Sequence, residues 1–171
     1  GYYMAEKLLV DGNNVSVMDI ETDGLEKLKE RYDNLVYYKV DLRNNDEIKV
    51  AVDETALKFG SVDIAVHNAC KCTFESESDT DFDTYKDVFD VNYFGALRFV
   101  KCVVPYMSRQ KKGRVIFTSS AVGVTGFMNI SPYSSTKGAL ESLTKCLRIE
   151  YAKDNITFHI MHPPLTKTKS A

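Results

Sequence analysis

The chain has 171 residues, 22 Lys and Arg against 24 Asp and Glu, and a net charge of −2 with both signs interspersed. That balance leaves no basic patch of the kind that holds a nucleic-acid backbone, and no apolar run reaches the ~18 residues of a membrane-spanning helix. The length is that of one domain, enough to bury about two-thirds of the unfolded surface, and the four cysteines lack Cys-x-x-Cys spacing, which reads as free, mostly buried thiols in a reducing cytoplasm.

Residues 2–12 have the pattern of an amphipathic helix ending at a glycine stop, Gly12. Asn14 to Asp19 reads as a short strand, and residues 23–32 as a helix capped by Asp23. A second strand is expected at 35–40. Helix 44–59 follows, with Ile48, Val52, Thr55 and Phe59 on one stripe and Gly60 as its stop. Residues 62–66 are rich in the β-branched side chains of a parallel strand buried on both faces. The acidic stretch 75–83 reads as a solvated loop and helix start. A long helix at 81–107, a strand at 114–118, a helix at 131–152 and a strand at 156–161 complete the order. Such alternation predicts an α/β fold, a doubly wound parallel sheet with helices on both faces.

The chemistry concentrates in Pro132-Tyr-Ser-Ser-Thr-Lys-Gly138, where Tyr133 and Lys137 stand four residues apart. On a helix that spacing puts a phenol and an ammonium on one face. A free phenol keeps its proton to about pH 10, and a neighbouring cation lowers that value toward the range useful in general acid/base catalysis. Ser120 closes the apolar run Val115 to Ser120, a buried strand whose C-terminal end is where α/β sheets place ligands. Asp19, at the end of its own strand, lies where dinucleotide folds hold the ribose hydroxyls with an acid. The Asp19 charge would repel a 2′-phosphate, and no Arg or Lys follows it in Ile20-Glu21, which favours NAD over NADP.

Ser120, Tyr133 and Lys137 at these spacings resemble the catalytic core of the short-chain dehydrogenase/reductase family. Asp90-Val-Asn-Tyr-Phe-Gly95 resembles the family's Asn-containing helix and makes Asn92 a fourth catalytic residue. Val66-His-Asn-Ala-Cys70 resembles the Asn-Asn-Ala-Gly turn, with departures at His67 and Cys70. Val40-Asp41-Leu42 resembles the adenine-contacting segment. Pro163-Pro-Leu-Thr-Lys-Thr168 resembles the Pro-Gly-x-x-x-Thr segment, with Pro164 in place of glycine. The resemblance covers essentially the whole chain. It implies one incomplete Rossmann-type NAD-binding and catalytic domain over residues 1–171, in which Gly1 takes the place of the last glycine of the phosphate loop. The first strand and that loop would precede it, and a substrate-covering segment and last strand would follow. Two inner strand edges would then face a gap, and a chain so truncated is expected to be poorly stable.

The same resemblance implies hydride transfer between NAD(H) and a secondary alcohol or ketone. Tyr133 would exchange the hydroxyl proton, Lys137 would lower the Tyr133 pKa and bind the nicotinamide ribose, Ser120 would donate to the substrate oxygen, and Asn92 would hold a water near Lys137. Cofactor contacts would come from Gly1, Asp19, Asp41, Leu42, Asn68, Ala69, Tyr133, Lys137, Pro163, Thr166 and Thr168. Phe127, Met128 and Ile130 would line an apolar part of the pocket, and helices 81–107 and 131–153 would form a homodimer or homotetramer interface. His67, His159 and His162 read as packing or rim residues, with no metal site. Alternatives are a non-catalytic dinucleotide-binding regulator and an epimerase or dehydratase of the extended branch.

Overall fold

The computed structural model describes residues 1–164, in which strands and helices alternate as the sequence predicts. The order is α1 (Tyr2–Val10), β1 (Val15–Asp19), α2 (Leu25–Arg31), β2 (Leu35–Lys39), α3 (Asn45–Phe59), β3 (Ile64–His67), α4 (Phe82–Phe89), α5 (Gly95–Gln110), β4 (Gly113–Thr118), α6 (Val122–Thr125), α7 (Ser131–Glu150) and β5 (Ile156–Met161). A five-residue π-helical turn, Asp90–Phe94, interrupts the long helix expected at 81–107 and separates α4 from α5. The four-residue α6 was not foreseen.

Local chemistry explains most of these boundaries. The Asn44 side chain accepts hydrogen bonds from the backbone N–H groups of Asp46 and Glu47, and Gly60, at φ 79°, ends α3 in the left-handed conformation that a Cβ disfavours. At α2 the expected cap is corrected. Gly24, at φ 85°, holds the cap position and Asp23 lies outside the helix without a capping bond, because only the glycine turns the chain into the helix at low cost.

Among the described residues every strand pairing is parallel. The strands form two ladders, β1–β2 and β3–β4–β5, and among the described residues no ladder joins β1 to β3. These are the two edges expected to face a gap. Two apolar cores match the two ladders. The smaller gathers Ala5, Leu9, Val15, Leu25, Leu28 and Leu35 from α1, β1, α2 and β2. The larger is built on Phe117, Phe158, Val115 and Ile156 beneath α3, α5 and α7. Strand β3 is not buried on both faces as expected. Side chains alternate along a strand, so Ala65 and His67 enter the core while Ile64 is 55 % exposed. Asp19 is aligned with Lys39, and His67 with Phe117, so the strands of each ladder present their C-terminal ends together.

Candidate active site

Helix α7 carries Pro132 in its first turn, where a missing N–H costs nothing, and then presents Tyr133 and Lys137 one turn apart. Lys137 is buried, and its Nζ donates to the carbonyl oxygen of Thr118 at 2.7 Å, at the end of β4. The same ammonium lies 5.3 Å from the centre of the Tyr133 ring. The Ser120 hydroxyl lies close enough to the Tyr133 phenol to lower its pKa. Strand end and helix thus bring three of the four expected catalytic groups to one place.

Their electrostatics differ from expectation in one respect. Burial raises the Tyr133 pKa, a charge on Cys70 raises it further, and the Ser120 hydroxyl lowers it. Lys137 was expected to lower it and is not among the groups that do. The reason is geometric: Lys137 is held on the Thr118 carbonyl and meets the ring of Tyr133 rather than forming a bond to its oxygen. Burial also lowers the Lys137 pKa, with Cys70 and Cys72 acting in the opposite sense.

Asn92 lies fully buried in the π-helical turn. Its Oδ1 accepts from the Lys71 backbone N–H at 2.7 Å, and its Nδ2 donates to the Lys71 carbonyl at 2.9 Å and to the Thr136 Oγ1 at 3.0 Å. Both amide protons are used. The side chain thereby clamps the loop after β3 to α7. Close packing supplies a further constraint that sequence reasoning missed. A Cβ on Gly123 would sit 2.8 Å from the Cβ of Lys137 and 2.9 Å from the backbone nitrogen of Gly138, so α6 lies directly against the turn that carries Lys137. The paired small residues Gly123 and Gly138 were the available signal. Cys70 and Cys72, which flank Lys71, were also passed over. Contrary to the expectation of buried thiols, Cys70 and Cys146 are exposed and Cys72 and Cys102 are half-buried, all four free.

The expected cofactor residues divide into two groups. Asp19 is exposed at the end of β1, its carboxylate accepting from the Glu21 N–H at 3.1 Å. Asn68 accepts at its Oδ1 from the Thr118 hydroxyl at 3.1 Å, which links the ends of β3 and β4, and Ala69 beside it is exposed. Gly1 caps α1 in open surroundings, and Pro163 is exposed just beyond β5. Asp41 and Leu42 are more committed. Arg43 binds the Asp41 carboxylate through Nε at 3.0 Å and Nη2 at 2.6 Å and holds it below the usual carboxylate range, while Leu42 packs under Gly95 and its carbonyl accepts from Arg98. Thr166 and Thr168 lie outside the described residues. Sequence proximity to Asp19 showed no cation, but the β1–β2 register brings Lys39 alongside it.

The histidines behave as packing and rim groups. His67 fills the end of β3, while His159 and His162 are exposed and bond Thr157 and Glu141 respectively. Among the described residues no three His, Cys, Asp or Glu side chains converge as a metal site, and no helix is long and apolar enough to cross a membrane. Ile130, expected in the pocket wall, is buried at the start of α7, whereas Phe127 and Met128 are 67 % and 74 % exposed.

The family profile described as short chain dehydrogenase matches residues 1–171, and the chain belongs to that family. It is 33 % identical to the oxidoreductase UcpA of Salmonella typhimurium over 94 % of this chain and 62 % of that protein. Among solved structures, a short-chain dehydrogenase from Streptomyces avermitilis superimposes with a TM-score of 0.92 at 29 % identity, over 99 % of this chain and 62 % of that one. A xylitol dehydrogenase with NAD+ bound superimposes with a TM-score of 0.87 at 27 % identity, over 93 % and 63 %. The chain thus spans about three-fifths of the length of these relatives.

Proposed function

We propose that the chain is the dinucleotide-binding and catalytic part of an oxidoreductase that moves a hydride between NAD(H) and a secondary alcohol or ketone. The observation that carries this reading is the meeting of the Tyr133 phenol, the Ser120 hydroxyl and the Lys137 ammonium at the C-terminal end of β4. A phenol with a serine hydroxyl beside it is placed to exchange a proton with a substrate hydroxyl that the same serine positions. In oxidation Tyr133 takes the hydroxyl proton as its phenolate, and in reduction it returns the proton. Ser120 donates to the substrate oxygen as charge builds there. Lys137 supplies a buried positive charge beside the ring, and Asn92 keeps the loop after β3 in register with α7.

The groups at the strand ends fit a dinucleotide. Asp19 offers an exposed carboxylate to ribose hydroxyls at the end of β1, and the Asn68–Thr118 pair and Ala69 stand at the ends of β3 and β4, the C-terminal strand ends at which α/β sheets take ligands. The bound nicotinamide supplies the carbon that accepts or gives the hydride. The Asp19 carboxylate favours NAD, a xylitol dehydrogenase relative has NAD+ bound, and Lys39 is the group that could admit a 2′-phosphate. Exposed Phe127 and Met128 suit an apolar or cyclic alcohol. Pairing of two copies through α4, α5 and α7 is the assembly we propose, and sedimentation of the complete enzyme tests it.

The deciding experiment screens secondary alcohols with NAD and with NADP on the complete enzyme, following NADH or NADPH absorbance. Tyr133→Phe should lower turnover by roughly 10² to 10⁴-fold while NADH binding, read from its own fluorescence, stays within a few-fold. Turnover retained in that variant would remove Tyr133 from the role.

A further inference from the structure

Cys70 and Cys72 bracket the residue that Asn92 clamps. The Lys71 peptide is bonded on both sides by the Asn92 amide, at 2.7 Å and 2.9 Å, and the Lys71 ammonium pairs with Asp87. Both neighbouring thiols are free, Cys70 exposed and Cys72 half-buried. Both sulfurs lie within electrostatic range of the catalytic groups: a charge on either raises the pKa of both Tyr133 and Lys137, and Cys70 acts on Cys72 in the same way. Two accessible sulfurs, a phenol and a buried ammonium therefore share one small region, and only the last two are used in the proposed reaction.

We propose that Cys70 and Cys72 form an oxidant-sensitive dithiol, a modification site at which a hydroperoxide reversibly switches off the Tyr133–Lys137 pair. This rests on the reading of that pair as catalytic. The Cys70 thiolate attacks one peroxide oxygen, the O–O bond breaks, and the other oxygen leaves as hydroxide or alkoxide, giving a sulfenic acid. The Cys72 thiol then attacks that sulfur, its proton goes to the departing hydroxyl, water leaves, and an S–S bond closes. A disulfide holds its two Cα atoms about 4.4 to 6.8 Å apart, so closure across one residue bends the backbone at Lys71. That peptide is tied through Asn92 to the Thr136 hydroxyl, 3.0 Å from Nδ2, and Thr136 precedes Lys137 on α7. The bend is thus passed to the helix turn that carries the ammonium. Cys102 and Cys146, within α5 and α7, serve as internal controls.

The test treats the complete enzyme with hydrogen peroxide, removes the oxidant, and measures turnover, NADH fluorescence binding and peptide masses without reduction. The expected result is a Cys70–Cys72 disulfide, seen as the loss of two hydrogens from the peptide that contains both, with turnover at least ten-fold lower and restored by dithiothreitol. Cys70→Ser and Cys72→Ser should each resist the treatment relative to their own untreated activity. Inactivation that persists in the double serine variant, or a complete disulfide with unchanged turnover, overturns the proposal. An untreated enzyme without turnover would count against the oxidoreductase reading alone, because the disulfide is scored by mass, and its absence after exhaustive treatment overturns the dithiol independently.

Discussion

His67 sits in surroundings opposed to its chemistry. Its ring is buried between Phe99 and Phe117, with centroids 6.4 Å from each, and neither nitrogen has a hydrogen-bond partner. Burial, reinforced by the positive charge of Lys137, lowers its pKa from 6.5 to about 3. Between those two values the unfolded chain takes up a proton that the folded chain refuses. Stability contributed by the neutral ring is therefore present above pH 6.5 and falls as the solution is acidified toward pH 3, by up to about 1.4 kcal/mol per pH unit. His67→Leu should flatten this acid limb in urea unfolding measured from pH 7 to pH 4, and parallel curves for the two proteins would contradict the assignment. Ser120 lends itself to a second residue-scale test. Its hydroxyl lowers the Tyr133 pKa against the larger effect of burial, so Ser120→Thr, which keeps a hydroxyl, should leave the pH profile of alcohol oxidation in place, whereas Ser120→Ala should move its rising limb to higher pH as well as slow the reaction.

Among the elements, the π-helical turn at Asp90–Phe94 and the short α6 decide the site more than their size suggests. A π turn shifts the backbone ladder by one residue and is common at functional sites. Here it aims Asn92 inward, where three hydrogen bonds join the loop after β3 to α7. Asn92→Ala strands two backbone groups of Lys71 and should cost about 2 to 4 kcal/mol, with activity falling further than stability alone explains; a purely proportional loss of both would reduce Asn92 to a structural brace. At α6, the contact of Gly123 with the backbone of Lys137 and Gly138 leaves no room for a methyl group. Gly123→Ala should cost about 1 to 3 kcal/mol and displace Lys137 from the Thr118 carbonyl, which unfolding and NADH titration would report together.

On the scale of the molecule, the two ladders and their separate cores make the chain two unequal packing units. The β1–β2 unit rests on a six-residue buried cluster, and α3 joins it to the larger core, partly through the Ser16–Thr55 hydroxyl contact at 2.7 Å. With no ladder between β1 and β3 among the described residues, opening of the first unit exposes less apolar surface than opening of the second. Amide hydrogen exchange should find Leu35 to Lys39 less protected than Val115 to Phe117. Equal protection at the level of global unfolding would mean that the two units open together.

Much of this architecture could be read before any coordinates. Helix α3 was legible because its cap, stripe and stop are all local: Asn44, Ile48, Val52 and Gly60 lie within one segment of chain. The parallel order followed from alternation, and the Tyr133–Lys137 spacing from helical periodicity. Asp23 misled because a local capping rule competed with a glycine able to adopt positive φ next to it. The amino-acid order by itself determined which elements form and which side chains carry acid/base chemistry, since periodicity, caps and functional groups are properties of neighbouring residues. Only the tertiary structure decided that Lys137 bonds the Thr118 carbonyl rather than the phenol, that Asn92 spends its amide on Lys71 and Thr136, that Lys39 stands beside Asp19, and that two cysteines lie within electrostatic range of the catalytic pair. Those relations depend on distances between segments far apart in the chain, and such distances are set by packing and burial, which no local pattern encodes.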